Sequence, residues 1–417
     1  MKLLFKITFL FFLPCEIHAQ VLTLDSVLNF VTNNNPGLRI YDARIKAASA
    51  YAAGAKSYEP PQVGAGLFMT PYNPMMWQAD EMEGSPGMGS FMLSAQQMFM
   101  NRQKLKANAD VMLGMGNVDR QMQGTMRNEM FAMAKMSYYM SAILIKKLAV
   151  FDESERLLEY IVKSAELRYS YGMDKLNAYY KSQAMLSDIK TMRLMVEFEI
   201  TKQKITLNTL MNRDLLSDFE IDTILVIKNY ENAFIDTTLI TSKKSEYKAV
   251  SANINLLLAR QDLERAKLKP DFGIKYDHMI AFGQQPQQFS LMAMLTIPIA
   301  PWSSKMYRSS ITGLGFEIDA LYFQQQSIIN DISGSLNSYM AQIKSKKQQL
   351  ELYRLEIIPS MKKNYETSLL AFEQNKEELF MTLDAWQNLK LVQLSYLDML
   401  NELLQLQVNY EKELEIR

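Results

Sequence analysis

The sequence predicts a mainly α-helical protein with a small β part, built from two tandem copies of one unit. Three observations predict it. Two long stretches hold almost no Pro or Gly and are rich in helix formers. Three other stretches hold no charged residue. The same order of elements occurs twice along the chain.

The N-terminus comes first. MKLLFKITFLFFLPCEIHAQ places Lys2 and Lys6 before an apolar run from Ile7 to Leu13, and Ala19 at a small-residue cut point. This pattern is that of a secretory signal peptide over 1–19. Cys15 is the alternative lipid acceptor, but Pro14 before it fits that signal poorly. After cleavage no cysteine remains, His278 is the one histidine, and 43 basic residues face 44 acidic ones. Such a chain cannot build a Cys nucleophile or a Cys/His zinc cluster. Its charge balance argues against nucleic acid as a partner. No GxSxG, HExxH or GxxxxGK[ST] motif occurs.

The first strand hairpin follows Pro60-Pro61. Pro60–Ala79 and Gly84–Asn101 lack Asp, Glu, Lys and Arg, although such residues make up 22% of the chain. Two segments near 62–69 and 89–98 alternate with period two, which expects strands. The first helical hairpin covers about 102–213, with no Pro and four Gly. A run of that kind from Arg102 to Tyr171 would extend roughly 100 Å at 1.5 Å per residue. That length expects coiled-coil packing rather than one globule.

The second half repeats this order after Pro270. Phe272, Ile274, Tyr276 and His278 alternate with Asp271, Gly273, Lys275 and Asp277. Phe289, Leu291, Ala293, Leu295 and Ile297 alternate with Ser290, Met292, Met294 and Thr296, inside the 26 uncharged residues Met279–Ser304. Each strand has about the nine to eleven residues that cross a bilayer. AELRYSYGMDKL (165–176) matches SLLAFEQNKEEL (368–379). In both, an aromatic residue (Tyr169, Phe372) precedes a turn residue (Gly172, Asn375), and a Leu (Leu176, Leu379) follows it. Gly and Asn tolerate the left-handed backbone of a helix end. The plan is therefore a signal peptide over 1–19, a first repeat over 20–222, a linker over 223–246 and a second repeat over 247–417. The strand hairpins are about 62–98 and 271–298, and the helical hairpins about 102–213 and 305–417. Four strands cannot close a barrel, and open edges are not tolerated in lipid. Three chains would supply twelve strands.

Methionine is the compositional oddity, at 30 residues, sixteen of them between Met69 and Met140. Met112, Met115, Met122, Met126, Met130, Met133, Met136 and Met140 fall within about 120° on a helix. They read either as a buried seam or as a thioether surface for Cu(I) or Ag(I). Met75, Met76, Met82 and Met88, with Trp77, lie between the first two strands and are candidate soft-metal contacts, with loop packing as the alternative. His278 is expected at a strand end, Trp302 in an interfacial aromatic belt and Trp386 in a helix core.

LTLDSVLNFVTNNNPGLRI (22–40), the Ala-rich helix ending at Pro60 and RYSYGMDKLNAYYKSQ (168–183) resemble the TolC-like outer-membrane efflux proteins. So do ARQDLERAKLKPDFGI (259–274), SLMAMLTIPIAPWSSK (290–305) and NYETSLLAFEQNKEELFMTLDAWQNL (364–389). The order of these pieces covers essentially the whole mature chain. The resemblance implies a homotrimer with a twelve-stranded outer-membrane β-barrel continued by an α-helical periplasmic barrel. It implies outer-membrane lipid around the barrel, a periplasmic adaptor and an inner-membrane pump of the resistance-nodulation-division type. It implies no cofactor and no catalysis. Gly172 and Asn375 would then lie at the periplasmic entrance. Asp384 matches a position where the family narrows the entrance with acidic residues. Met381 stands where another Asp is usual, and Glu377 and Glu378 lie nearby. The family includes a copper/silver branch. The alternative reading is a periplasmic coiled-coil adaptor or scaffold without a barrel, which has no need of uncharged strand hairpins.

Overall fold

The computed structural model describes residues 21–80, 84, 86–173, 175–231, 237–298 and 300–417. The predicted signal peptide, Cys15 and Met82 lie outside the described residues. The protein is mainly helical with a small sheet part. The order is β1 (Val21–Leu22), α1 (Leu24–Asn34), α2 (Pro36–Gly54), β2 (Gln62–Phe68), a 3-10 turn (Pro74–Trp77), β3 (Ser90–Phe99), α3 (Arg102–Ser170), α4 (Leu176–Met211) and β4 (Glu220–Ile221). Then come α5 (Thr237–Lys243), α6 (Ser245–Lys267), β5 (Asp271–Ala281), β6 (Gln288–Thr296), α7 (Pro301–Leu352), a π turn (Tyr353–Ile357), α8 (Ile358–Glu373) and α9 (Leu379–Leu414). The π turn ends two residues before Pro359, whose missing N–H breaks the regular helical ladder.

Two compact units share these elements. One comprises Gly37–Arg127 and Ile235–Gly334. It holds a four-stranded antiparallel sheet in the order β2-β3-β5-β6. The two hairpins are joined by β3 and β5, from Ser90↔Ala281 to Phe99↔Phe272. Asp271 anchors the end of that ladder. It accepts from the Asn101 backbone N–H at 2.9 Å and pairs with Lys104 Nζ at 2.9 Å, tying β5 to the first turn of α3. Glycines in α3 permit close helix packing. A Cβ on Gly116 would stand 3.0 Å from the Ala48 methyl of α2, and one on Gly124 would collide with Ser245 of α6.

Alternation in the sheet separates two faces. One carries Val63, Leu67, Phe272, Ile274, Phe289, Leu291 and Leu295, all exposed to solvent in the single chain. The other carries Gly64, Ser94, Asp277 and Ser290 in one cross-strand row. Asp277 is buried there, 3.1 Å from Lys275, and accepts from the Ser290 hydroxyl at 3.3 Å. His278 lies within β5 between Leu93 and Phe289 rather than at a strand end.

The second unit comprises the chain up to Pro36, Asn128–Phe234 and Ser335–Arg417. Thr23 caps α1 by accepting the Ser26 N–H at 3.3 Å. β1 pairs in parallel with β4, and the Tyr138 hydroxyl donates to the Leu22 carbonyl at 3.0 Å. Further along, α3, α4, α8 and α9 bury a core of Leu158, Ile161, Ile189, Phe372, Leu383 and Trp386. Each such large side chain contributes about 1.5–3 kcal/mol.

A polar network ties the linker after β4 to α3 and α9. Buried Glu411 accepts from Lys135 Nζ at 2.5 Å, Lys228 Nζ at 2.7 Å and the Tyr230 hydroxyl at 2.6 Å. Lys135 also donates to the Ile416 carbonyl at 2.9 Å. Burial alone would raise the Glu411 carboxyl, but the hydrogen bonds from Lys135, Lys228 and Tyr230 outweigh it and hold it below its ordinary value of 4.5. A carboxyl depressed on folding stabilises the fold fully above its unfolded value and stops doing so as pH falls through its folded one. Glu411→Ala should cost about 3–5 kcal/mol by leaving Lys135 buried and unpaired. Glu411→Gln should flatten the loss of thermal midpoint on acidification. Melting curves as a function of pH check both, and an unaltered acid limb in the Gln variant would contradict the assignment.

Candidate functional site

The two helical-hairpin turns lie in the same unit and line one cleft. Gly172 adopts φ +71° and Asn375 φ +58°. Each closes its turn in the same way. The Gly172 N–H donates to the Tyr169 carbonyl at 2.9 Å and the Asn375 N–H to the Phe372 carbonyl at 2.9 Å. The next residue bonds further back, Met173 to Arg168 and Lys376 to Ala371, both at 2.8 Å. These are left-handed helix C-caps of the Schellman kind.

Arg168 joins the turns. Its Nη1 donates to Asn375 Oδ1 at 2.5 Å, and its guanidinium lies 4.7 Å from the centre of the Phe372 ring. The cleft between the turns measures about 540 Å³ and is lined by Arg168, Gly172, Lys175, Asn375, Glu377 and Glu378 among others. Glu378 is the residue before α9, its side chain making no capping bond, and the Met381 N–H donates to its carbonyl at 3.1 Å. The opposite charges in this cleft make it a mixed surface rather than an acidic one.

Asp384 and Met381 are not part of the cleft lining. They lie on α9 with Asn388 on an exposed stripe at spacings of three and four, and Asn388 Nδ2 donates to Asp384 Oδ2 at 3.1 Å. The opposite face of α9 is buried through Leu383, Trp386 and Leu389. Lys390 is the unexpected member of that buried side. Its ammonium lies 5.0 Å from the centre of the Trp386 ring. Burial pushes it below its ordinary value, and the Asp188 charge partly offsets this.

The loops between the strands hold the methionine candidates. Trp77 Nε1 donates to the Pro71 carbonyl at 2.8 Å, and its ring stacks on Phe282 with centroids 5.5 Å apart. The Met88 N–H donates to the Met76 carbonyl at 2.7 Å, and the Gly87 N–H to the Gly283 carbonyl at 3.2 Å. The two strand loops are thus tied together, leaving Met75, Met76 and Met88 exposed. Among the α3 methionines only Met130 is buried, while Met115, Met122 and Met133 are exposed in the single chain. One chain therefore does not cover this stripe as a buried seam would require. No group of three or more His, Cys, Asp or Glu able to hold a metal occurs among the described residues. No described helix is long and apolar enough to cross a membrane.

Comparison with known proteins bears on the fold. No family model and no curated protein matches the chain. Solved structures do. The outer-membrane channel OprN aligns with a TM-score of 0.76 at 10% identity, covering 94% of this chain and 89% of its own. The Campylobacter jejuni CmeC outer-membrane channel aligns with a TM-score of 0.73 at 12% identity, covering 94% and 85%. The Vibrio cholerae outer-membrane protein VceC aligns with a TM-score of 0.73 at 14% identity, covering 94% and 95%. The chain has the fold of TolC-type outer-membrane efflux channels.

The Arg168 contact yields a local prediction. Arg168→Ala should remove about 1 kcal/mol of tethering between the turns. Amide exchange at Gly172–Met173 and Asn375–Lys376 should quicken while the global melting midpoint stays put. Unchanged exchange at both turns would contradict a tethering role.

Proposed function

We propose that the protein is the outer-membrane exit duct of a tripartite efflux system, with soft monovalent cations, Cu(I) and Ag(I), among its cargo. The observation that carries the reading is the sheet. It is open, with β2 and β6 as its edges, and one face is apolar and largely exposed apart from Gln97 and His278. Val63 is 78%, Phe289 69% and Leu291 66% exposed. A patch of this kind on a water-soluble protein is a liability. In a bilayer it is the required outer face of a barrel.

Closure follows from the same requirement. Three copies join β2 of one to β6 of the next and close twelve strands. Trp302, exposed just after β6, sits at the membrane boundary as an aromatic anchor. The helical hairpins form the periplasmic conduit, with the turns at Gly172 and Asn375 at its entrance. The exposed stripe of Met381 and Asp384 faces the narrowed pore, where a ring of three Asp384 carboxylates focuses negative potential and favours cations. Glu377 and Glu378 add to it from the cleft. A periplasmic adaptor and a resistance-nodulation-division pump supply contact and energy, and the duct itself performs no chemistry.

Fractionation and drug-sensitivity assays test this together. The protein should sediment with outer membranes, and loss of it should sensitise cells to silver and copper more than to bile salts or dyes. Recovery as a soluble periplasmic monomer would end the duct reading. Greater sensitisation to dyes than to silver would end the cargo assignment alone.

A further inference from the structure

The strands place their methionines on one side only. Those in the described strands are Met92 and Met98 in β3, Met279 in β5, and Met292 and Met294 in β6. All five alternate with the exposed apolar residues, and so stand on the face opposite Phe272, Phe289 and Leu291. Leu and Met replace each other at nearly constant volume. Packing alone therefore gives no reason to use Leu and Ile on one face and Met on the other.

The register then gathers the thioethers. Met98 and Met294 are the two cross-strand partners of Gly273, one on each side. A Cβ at Gly273 would collide with the Met98 sulfur. The glycine thus leaves the gap over which Met98 lies, between its own strand and that of Met294. Met292 stands one step further along β6, two residues or about 7 Å away. Beyond it, Met92 and Met279 are direct cross-strand partners. The charged groups of this face are already engaged, Asp271 by Lys104 at 2.9 Å and Asp277 by Lys275 at 3.1 Å.

We propose that Met98, lying over Gly273, and Met294, the cross-strand partner on the other side of that glycine, form a contact site for a soft monovalent cation, with Met92 and Met279 as the next contact along the same face. The inference rests on the duct reading above, in which this face lines the barrel interior. Thioethers are soft, neutral ligands that prefer Cu(I) and Ag(I) to hard ions. Two neutral sulfurs leave the ion's charge uncompensated, so the contact is weak and exchanges readily. A conduit needs that property: tight binding would stop flow.

The test uses the full-length protein in planar bilayers bathed in potassium nitrate, with silver nitrate as the probe. Silver should reduce the potassium current of the wild type. In Met98→Leu/Met294→Leu the half-effective silver concentration should rise several-fold, with the silver-free conductance unchanged. An identical silver response in the variant would overturn the site. Absence of any wild-type conductance would count against the duct reading instead. Silver calorimetry on the purified protein then decides the site separately: the double variant must bind fewer silver ions than the wild type. If that variant does not insert, Met92→Leu/Met279→Leu takes its place in both measurements, and an unaltered response there overturns the proposal.

Discussion

A strand edge is a row of backbone N–H and C=O groups without partners. In water they are solvated; in hydrocarbon each costs several kcal/mol. The sheet β2-β3-β5-β6 has two such edges and one face too apolar for water. Joining the hairpins of both halves through β3 and β5 leaves those two edges and no others in the sheet. The proposed closure by further copies satisfies both requirements at once. Symmetric assembly by copies of one chain is the economical solution, since the same two edges meet at every junction.

The near-zero net charge takes on meaning in this light. Two of the ion-paired groups stand where a strand begins and where helices meet. Asp271 with Lys104 secures the start of β5, and Glu411 with Lys135 and Lys228 secures the linker to α3 and α9. Within the four-stranded sheet, Asp, Glu, Lys and Arg are confined to Asp271, Lys275 and Asp277 of β5. The apolar exposed face and the mixed opposite face are thus set by the period-two pattern itself.

Much of this architecture is legible in the residues. The uncharged stretches and the alternation of Phe272 to His278 announce the hairpins. The matched spacing around Gly172 and Asn375 announces turns with left-handed backbone, and both positions have positive φ. The Arg168 bond to Asn375 is not legible, because it spans 207 positions between helices of similar composition. Glu411 and Lys390 look like any surface charge on an amphipathic helix; only packing reveals that both are buried. The strand methionines had a readable signal. Applying period two to Met, rather than to apolar residues as a class, separates Met92, Met98, Met279, Met292 and Met294 from Leu and Ile. The α3 stripe is the more conspicuous pattern because it holds eight methionines.

The central claim is that β2 of one copy pairs with β6 of another. Since Cys15 is the one native cysteine, a Cys15→Ser background leaves the cysteines placed in the strands as the only thiols that report pairing. Ala65→Cys combined in turn with Leu291→Cys, Ala293→Cys or Leu295→Cys, oxidised in intact outer membranes, measures it directly. The account predicts that at least one combination gives cross-linked dimers and trimers on a denaturing gel, reversible by reductant. Exclusively monomeric chains in every combination, in membranes that contain the protein, would contradict it.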